Sequence, residues 1–216
     1  MDPGRTPGNG SHPLGLVTAA GVQGPIGPLV DCDMKDWVKD LSINLLGTVF
    51  AVKYFARELI SGNHRGRIVL LSGGGATSPQ PRFSSYGAAK AAVVRFGEVM
   101  AHELKEHKIA VNSLAPGGIN TQFTEEVVKA GPDRAGREAH ERALEQKTSG
   151  GTSVDKPASL CSYLMSESAE DVTGRLISAV WDPWSHLHEH VAELQGSDIY
   201  TLRRIVPKDR ARDWGE

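Results

Sequence analysis

Short apolar runs alternate with longer stretches of helical periodicity along this chain of 216 residues. Leu14–Thr18, Arg67–Leu71, Ala110–Leu114 and Leu176–Val180 are aliphatic and of strand length. Between them the pattern predicts a long helix from Met34 to Ser61, capped by Asp33 and stopped by Gly62-Asn63. A second runs from Ser84 to His107, apolar on most sides and so expected to be buried on more than one face. A third covers Asp155 to Ser166. Residues 119–151 are polar and helix-prone, broken by Gly131-Pro132 and Gly150-Gly151, and form a candidate lid or substrate-binding insertion. Residues 1–13 are a Pro/Gly-rich lead expected to be disordered, residues 14–180 form the domain, and residues 181–216 are an extension expected to pack on the domain or on a neighbouring subunit.

Strand and helix in series imply parallel strands joined by right-handed crossovers, which is the α/β class with a doubly wound sheet. Such sheets bind ligands beyond the carboxyl ends of their strands. Here three of the four strands end in small residues, Ala19-Ala20-Gly21, Ser72-Gly-Gly-Gly75 and Pro116-Gly117, where a flat ligand can approach the backbone.

Composition narrows the partners. With 39% apolar and 23% charged residues the chain is globular rather than disordered. A net charge of −2 gives no support for a nucleic-acid surface or a polybasic membrane anchor. Cys32 and Cys161 form no CxxC pair, which argues against a zinc ribbon or a disulfide framework. No run approaches the ~18–20 apolar residues of a membrane span, and the N-terminus has no signal core, so a cytoplasmic location is expected. His186 and His190 have the spacing of a helical metal pair, but a solvated face is the favoured reading and no metal is expected. Trp181 and Trp184 flank Asp-Pro and either close the substrate pocket or, the favoured reading, anchor the tail. Arg203 and Arg204 suit a substrate anion or, more simply, surface ion pairs.

The strongest chemical signal is Tyr86-Gly-Ala-Ala-Lys90, whose spacing of four puts both side chains on one helix face. A nearby ammonium favours phenolate and lowers the tyrosine pKa from ~10, so the pair suits general acid–base work on a hydroxyl or carbonyl. Upstream, Asn44 lies in an otherwise apolar helix, either bonded locally or holding a relay water beside the lysine.

Taken together, these segments resemble the short-chain dehydrogenase/reductase family from about Pro13 to Val180. Thr18-Ala-Ala-Gly21 is similar to the family's NNAG turn, with both asparagines replaced. Asn44 matches the helix asparagine of the catalytic tetrad, Tyr86 and Lys90 match YxxxK, and Asn112-Ser-Leu-Ala-Pro-Gly-Gly-Ile-Asn-Thr121 matches the segment ending in PG and a cofactor-contacting Thr. The resemblance implies a Rossmann-type fold and hydride transfer between NAD or NADP and the carbon of a small-molecule alcohol or carbonyl. Tyr86 is then the proton donor or acceptor, Lys90 holds the nicotinamide ribose and depresses the tyrosine pKa, and Asn44 keeps the relay water. Ala19, Ala20, Gly21 and Leu71 are assigned to the cofactor together with Tyr86 and Lys90. Pro116, Gly117, Ile119 and Thr121 line the nicotinamide. The two long helices match the family's dimer bundle, which implies a homo-oligomer.

Two departures accompany the resemblance. The family serine lies thirteen residues before the tyrosine, which here is Gly73. Ser72, one position earlier, is either its catalytic replacement or a strand-end serine bonded to backbone. The family's opening strands and Gly-rich phosphate turn have no counterpart, and Gly21-Val-Gln-Gly-Pro-Ile-Gly27 reads as a loop. The chain is therefore expected to be a partial Rossmann-like domain with four parallel strands and the first three of the family missing, with cofactor binding weakened or lost and Leu14–Thr18 left as an open sheet edge. Two further readings follow: a non-catalytic relative that pairs through that edge, and a sugar dehydratase or epimerase with transient hydride transfer.

Overall fold

The computed structural model describes residues 14–215, so the N-terminal lead lies outside the described residues. The apolar runs become β1 (Leu14–Thr18), β2 (Gly66–Leu71), β3 (Ile109–Ala115) and β4 (Leu176–Ser178). They form one sheet in the order β1-β2-β3-β4, every pair parallel, with Leu16 opposite Ile68, Ile68 opposite Val111 and Leu114 opposite Ile177. Ile68, Val69 and Leu70 are buried because helices cover both faces of the central strands.

The helices are α1 (Met34–Leu41), α2 (Gly47–Ser61), α3 (Ser84–Glu103), α4 (Gln122–Ala135), α5 (Arg137–Ser149), α6 (Asp155–Met165) and α7 (Val191–Gln195). Val52, Ala56 and Leu59 of α2 join Val93 and Ala101 of α3 over one face of the sheet. Leu160 and Leu164 of α6 cover the other against Val69, Leu114 and Ile177.

The expected helix 34–61 is a continuous rod, started by Asp33, whose carboxylate accepts from Lys35 N at 2.7 Å. It is not uniformly α-helical. A π-helical turn, Ser42–Leu46, separates α1 from α2 and carries Asn44. The helix expected to reach His107 ends at Glu103; a separate 3-10 turn covers Lys105–His107 before Lys108 turns left-handed at φ 56°, so only His102 lies in the last α-helical turn. The expected strand to Val180 stops at Ser178. Ala179 N still donates to Ala115 O at 2.9 Å, but the Ser178 hydroxyl accepts from Val180 N and Trp181 N and the Asp182 carboxylate accepts from Ser178 N at 2.6 Å, so local side-chain bonds turn the chain out of the ladder.

The segment after β4 folds back on the body. Leu187 and Leu194 are buried in the second core, Arg175 donates to Ile199 O at 2.7 Å, and Leu202 N donates to the Glu98 carboxylate at 2.6 Å. Trp184 is an anchor, donating to Ala179 O at 3.2 Å, whereas Trp181 is 82% exposed and anchors nothing. Arg203 pairs with Asp198 and Asp209. His186 and His190 sit in the 3-10 turn Trp184–His190 and face Glu189 and Glu193, and the described residues contain no group of three metal-ligating side chains. No helix among the described residues is long and apolar enough to cross a membrane. On the other edge, among the described residues β1 pairs with β2 alone, and Leu14 and Val17 are 52% and 43% exposed.

Leu70 is fully buried at the centre of the sheet. Leu70→Ala is expected to destabilise the fold by about 2–5 kcal/mol in urea unfolding; a loss below about 1 kcal/mol would place the core elsewhere.

Candidate active site

A cavity of about 820 Å³ opens beyond the carboxyl ends of β1, β2 and β3. That volume lies within the range of pockets that hold small ligands. Its floor is made by strand ends and the start of α3, its far wall by α4 and α5. Ala19, Gly21, Leu71, Ser72, Tyr86 and Lys90 line it, as do Pro116, Gly117, Ile119 and Thr121. Ala20 is exposed and outside the wall, and Asn44 lies behind it.

Tyr86 sits in the first turn of α3 with its ring edge-on to Phe123, centroids 5.8 Å apart at 84°. Lys90 follows one turn later. Its ammonium lies 5.6 Å from the Tyr86 ring centroid and donates to Leu71 O at 2.9 Å. One N–H is thereby committed, and two remain for other acceptors.

The electrostatics correct the sequence expectation. Burial pushes the Tyr86 hydroxyl up to about 12, and the nearby Asp40 charge adds to the effect. The expected depression by Lys90 does not appear: burial and the Asp40 charge both act against the phenolate. Burial likewise pushes Lys90 down, against the attraction of Asp40.

Asn44 clamps the loop after β1. Its amide donates to Val22 O at 2.9 Å and accepts from Val22 N at 3.2 Å, and it also donates to the Asp40 carboxylate at 2.5 Å. Gly21 is the close link to the lysine: a Cβ there would fall 2.7 Å from the Asn44 oxygen and 3.8 Å from Lys90 Nζ.

At the position of the family serine, a Cβ on Gly73 would lie 2.8 Å from the Tyr86 hydroxyl, so backbone abuts the phenol. Ser72 borders the cavity, but its Oγ is buried and has no hydrogen-bond partner. The segment 119–151 forms the cavity wall through α4 and α5. Thr121 caps α4, accepting from Phe123 N at 3.3 Å. Gln146 of α5 donates to Ile119 O at 2.9 Å and to the Thr124 hydroxyl at 2.8 Å, which fastens the two helices to the strand end.

Sequence reasoning missed Asp40, Phe123 and Gln146. Asp40 is 1% exposed although acidic residues on helices ordinarily face water. Its only sequence signal is the i, i+4 spacing to Asn44.

A family model described as short chain dehydrogenase matches residues 14–131, more than half of the chain. Dehydrogenase/reductase SDR family member 4 of Bos taurus is 31% identical over 172 residues, which cover 80% of this chain and 60% of that protein. An NADPH-dependent aldehyde reductase-like chloroplastic protein of Arabidopsis thaliana is 37% identical over 109 residues, 50% of this chain and 40% of that protein. Among solved structures, acetoin dehydrogenase from Salmonella typhimurium superposes with TM-score 0.60 at 28% identity, covering 76% of this chain and 62% of that one. The chain therefore belongs to the short-chain dehydrogenase family and spans about 60% or less of the length of these curated relatives.

Asn44→Ala removes both halves of the Val22 clamp. It is expected to destabilise the protein by about 1–3 kcal/mol and to speed hydrogen exchange at Val22; unchanged exchange there would show that the loop is held by other contacts.

Proposed function

We propose that this chain carries the acid–base half of a nicotinamide-dependent oxidoreductase that interconverts a small-molecule alcohol and carbonyl. The observation that carries the reading is the Tyr86–Lys90 pair at the floor of a cavity built from small-residue strand ends. The residues present fit a nicotinamide. The orphaned Ser72 Oγ is a buried polar atom without a partner, Lys90 has two uncommitted donors for ribose hydroxyls, and Gly21, Gly73 and Gly117 leave backbone where side chains would fill the space. When bound, the cofactor supplies or accepts the hydride at the substrate carbon.

In the reducing direction, Tyr86 donates its proton to the substrate oxygen as negative charge develops there. Its high pKa keeps that proton in place at neutral pH until the oxygen becomes basic enough to take it. Lys90 holds positive charge beside the forming phenolate and binds the ribose. Asn44 holds the loop that carries Gly21 and, in this reading, positions the relay water. Pro116, Gly117, Ile119 and Thr121 shape the nicotinamide site, with Ala19 and Leu71 at its edges. Gly73 leaves the family serine's role to Ser72, whose unpartnered hydroxyl borders the cavity. Nothing in the chemistry of these residues favours NAD over NADP.

The exposed Leu46, Phe50 and Tyr54, spaced four apart on the helix rod, form an apolar face that we take as the contact with a second copy. A non-catalytic pairing role is the second reading, favoured by the exposed Leu14 and Val17 on the edge strand of the described sheet.

Tyr86→Phe is expected to lower carbonyl reduction by about 10²–10⁴-fold while NADH and NADPH titrations followed by nicotinamide fluorescence stay within about 3-fold. Retained turnover would remove Tyr86 from the chemistry; absence of cofactor binding by the wild-type chain would favour the pairing role. Phe50→Glu is expected to shift sedimentation toward the monomer, and an unchanged sedimentation coefficient would place the self-contact on another face.

A further inference from the structure

Behind the cavity floor lies a polar cluster that the acid–base reading leaves unused. Asp40 is 1% exposed and Ser85 is fully buried. Asn44 donates to Asp40 Oδ1 at 2.5 Å, while Asp40 Oδ2 and Ser85 Oγ have no fully aligned hydrogen bond. Both face Gly24: a Cβ on that residue would fall 2.6 Å from Ser85 Oγ and 2.9 Å from Asp40 Oδ2, and its φ of +72° is one that side-chain-bearing residues rarely adopt. The backbone therefore closes the cluster against water. A carboxylate buried this deeply stays ionised only where a counter-charge and hydrogen bonds hold it so.

The groups around it are few. From α3 come Ser85, Tyr86 and Lys90, from its own helix comes Asn44, and the loop 19–28 contains no ionisable residue. Asn44, which donates to Asp40, also borders the lysine: a Cβ on Gly21 would fall 2.7 Å from Asn44 Oδ1 and 3.8 Å from Lys90 Nζ, and among the described residues Lys90 is the cation that acts on Asp40. No direct salt bridge forms, so the coupling acts through space.

We propose that Asp40 is a positioning residue of this site: its carboxylate, held by Asn44 and set against Ser85, is the buried counter-charge that keeps Lys90 cationic behind the cavity floor. The functional consequence rests on the acid–base reading above. With Asp40 ionised, the phenol holds its proton more firmly and the lysine stays cationic in a site that burial would otherwise neutralise. Burial raises the Asp40 pKa, and Ser85, Asn44 and Lys90 each oppose that rise. After burial, the same carboxylate pushes Tyr86 further up, and it opposes the fall that burial imposes on Lys90. Asp40 thus sets how readily the site gives up its proton without touching the substrate.

The test reads the electrostatics without turnover. Protein labelled with carbon-13 at the tyrosine ring Cζ is titrated by NMR, with the Tyr86 signal identified by its loss in Tyr86→Phe. In Asp40→Asn, which keeps the shape and the acceptor for Asn44, the Tyr86 titration is expected to fall by about one pH unit, the size that a unit charge within ~10 Å produces at an effective dielectric of ~20. A folded Asp40→Asn protein whose Tyr86 titrates as in the wild type overturns the inference, whatever its turnover. If Asp40→Asn does not fold, Lys90→Met gives the reciprocal measurement. The Asp40 carboxyl carbon is then expected to titrate at higher pH than in the wild type, and an unchanged value overturns the inference. A shifted Tyr86 titration in a protein that reduces no carbonyl compound leaves the counter-charge role standing and contradicts the proposed reaction instead.

Discussion

The Lys90 ammonium donating to the Leu71 carbonyl ties α3 to the end of β2, and this bond fixes where the phenol stands. Tyr86 is one helical turn away, so anchoring the lysine to the strand end places the hydroxyl against Gly73 and under the cavity mouth. The polar groups brought together in this way are largely buried. Their mutual attraction opposes, but does not cancel, the cost of taking them from water. Burial is the first cause of the shifts at Tyr86, Lys90 and Asp40 alike. A buried network of this kind is strong where it is fully satisfied and vulnerable where a partner is missing.

The rest of the fold serves that placement. Two apolar cores on opposite faces hold β2 and β3 in register, so the strand ends form a stable rim. Small residues at those ends leave room at the mouth. The π-helical turn lets Asn44 reach Val22 and Asp40 from one side chain, which links the helix rod to the loop after β1. Gln146 fastens the α4–α5 arm to Ile119 and Thr124 and completes the wall.

Period and punctuation made the sheet legible. Aliphatic runs of strand length, separated by helical stretches, gave four parallel strands in sequential order, and Asp33 marked the start of the first helix. The boundaries that moved did so because local side-chain bonds intervened, as at Ser178, or because a left-handed residue ended the 3-10 turn after α3, as at Lys108. The cavity position of Tyr86 and Lys90 was legible because i, i+4 spacing fixes a shared face. The direction of the tyrosine shift was not, since it depends on how much water the fold removes and on an acid far away in sequence. Asp40 itself was invisible for the same reason: nothing in the string Val38-Lys39-Asp40-Leu41 reveals that a glycine loop will seal it from solvent.

The central claim is that Tyr86 protonates a carbonyl oxygen while its carbon receives hydride in the same cavity. Incubation with NADH or NADPH carrying deuterium at nicotinamide C4 and a panel of small carbonyl compounds, followed by mass spectrometry of the alcohols, tests it most directly. One deuterium on the carbinol carbon, lost in the Tyr86→Phe protein, is the predicted result. Cofactor binding with no deuterium transferred to any compound would contradict it.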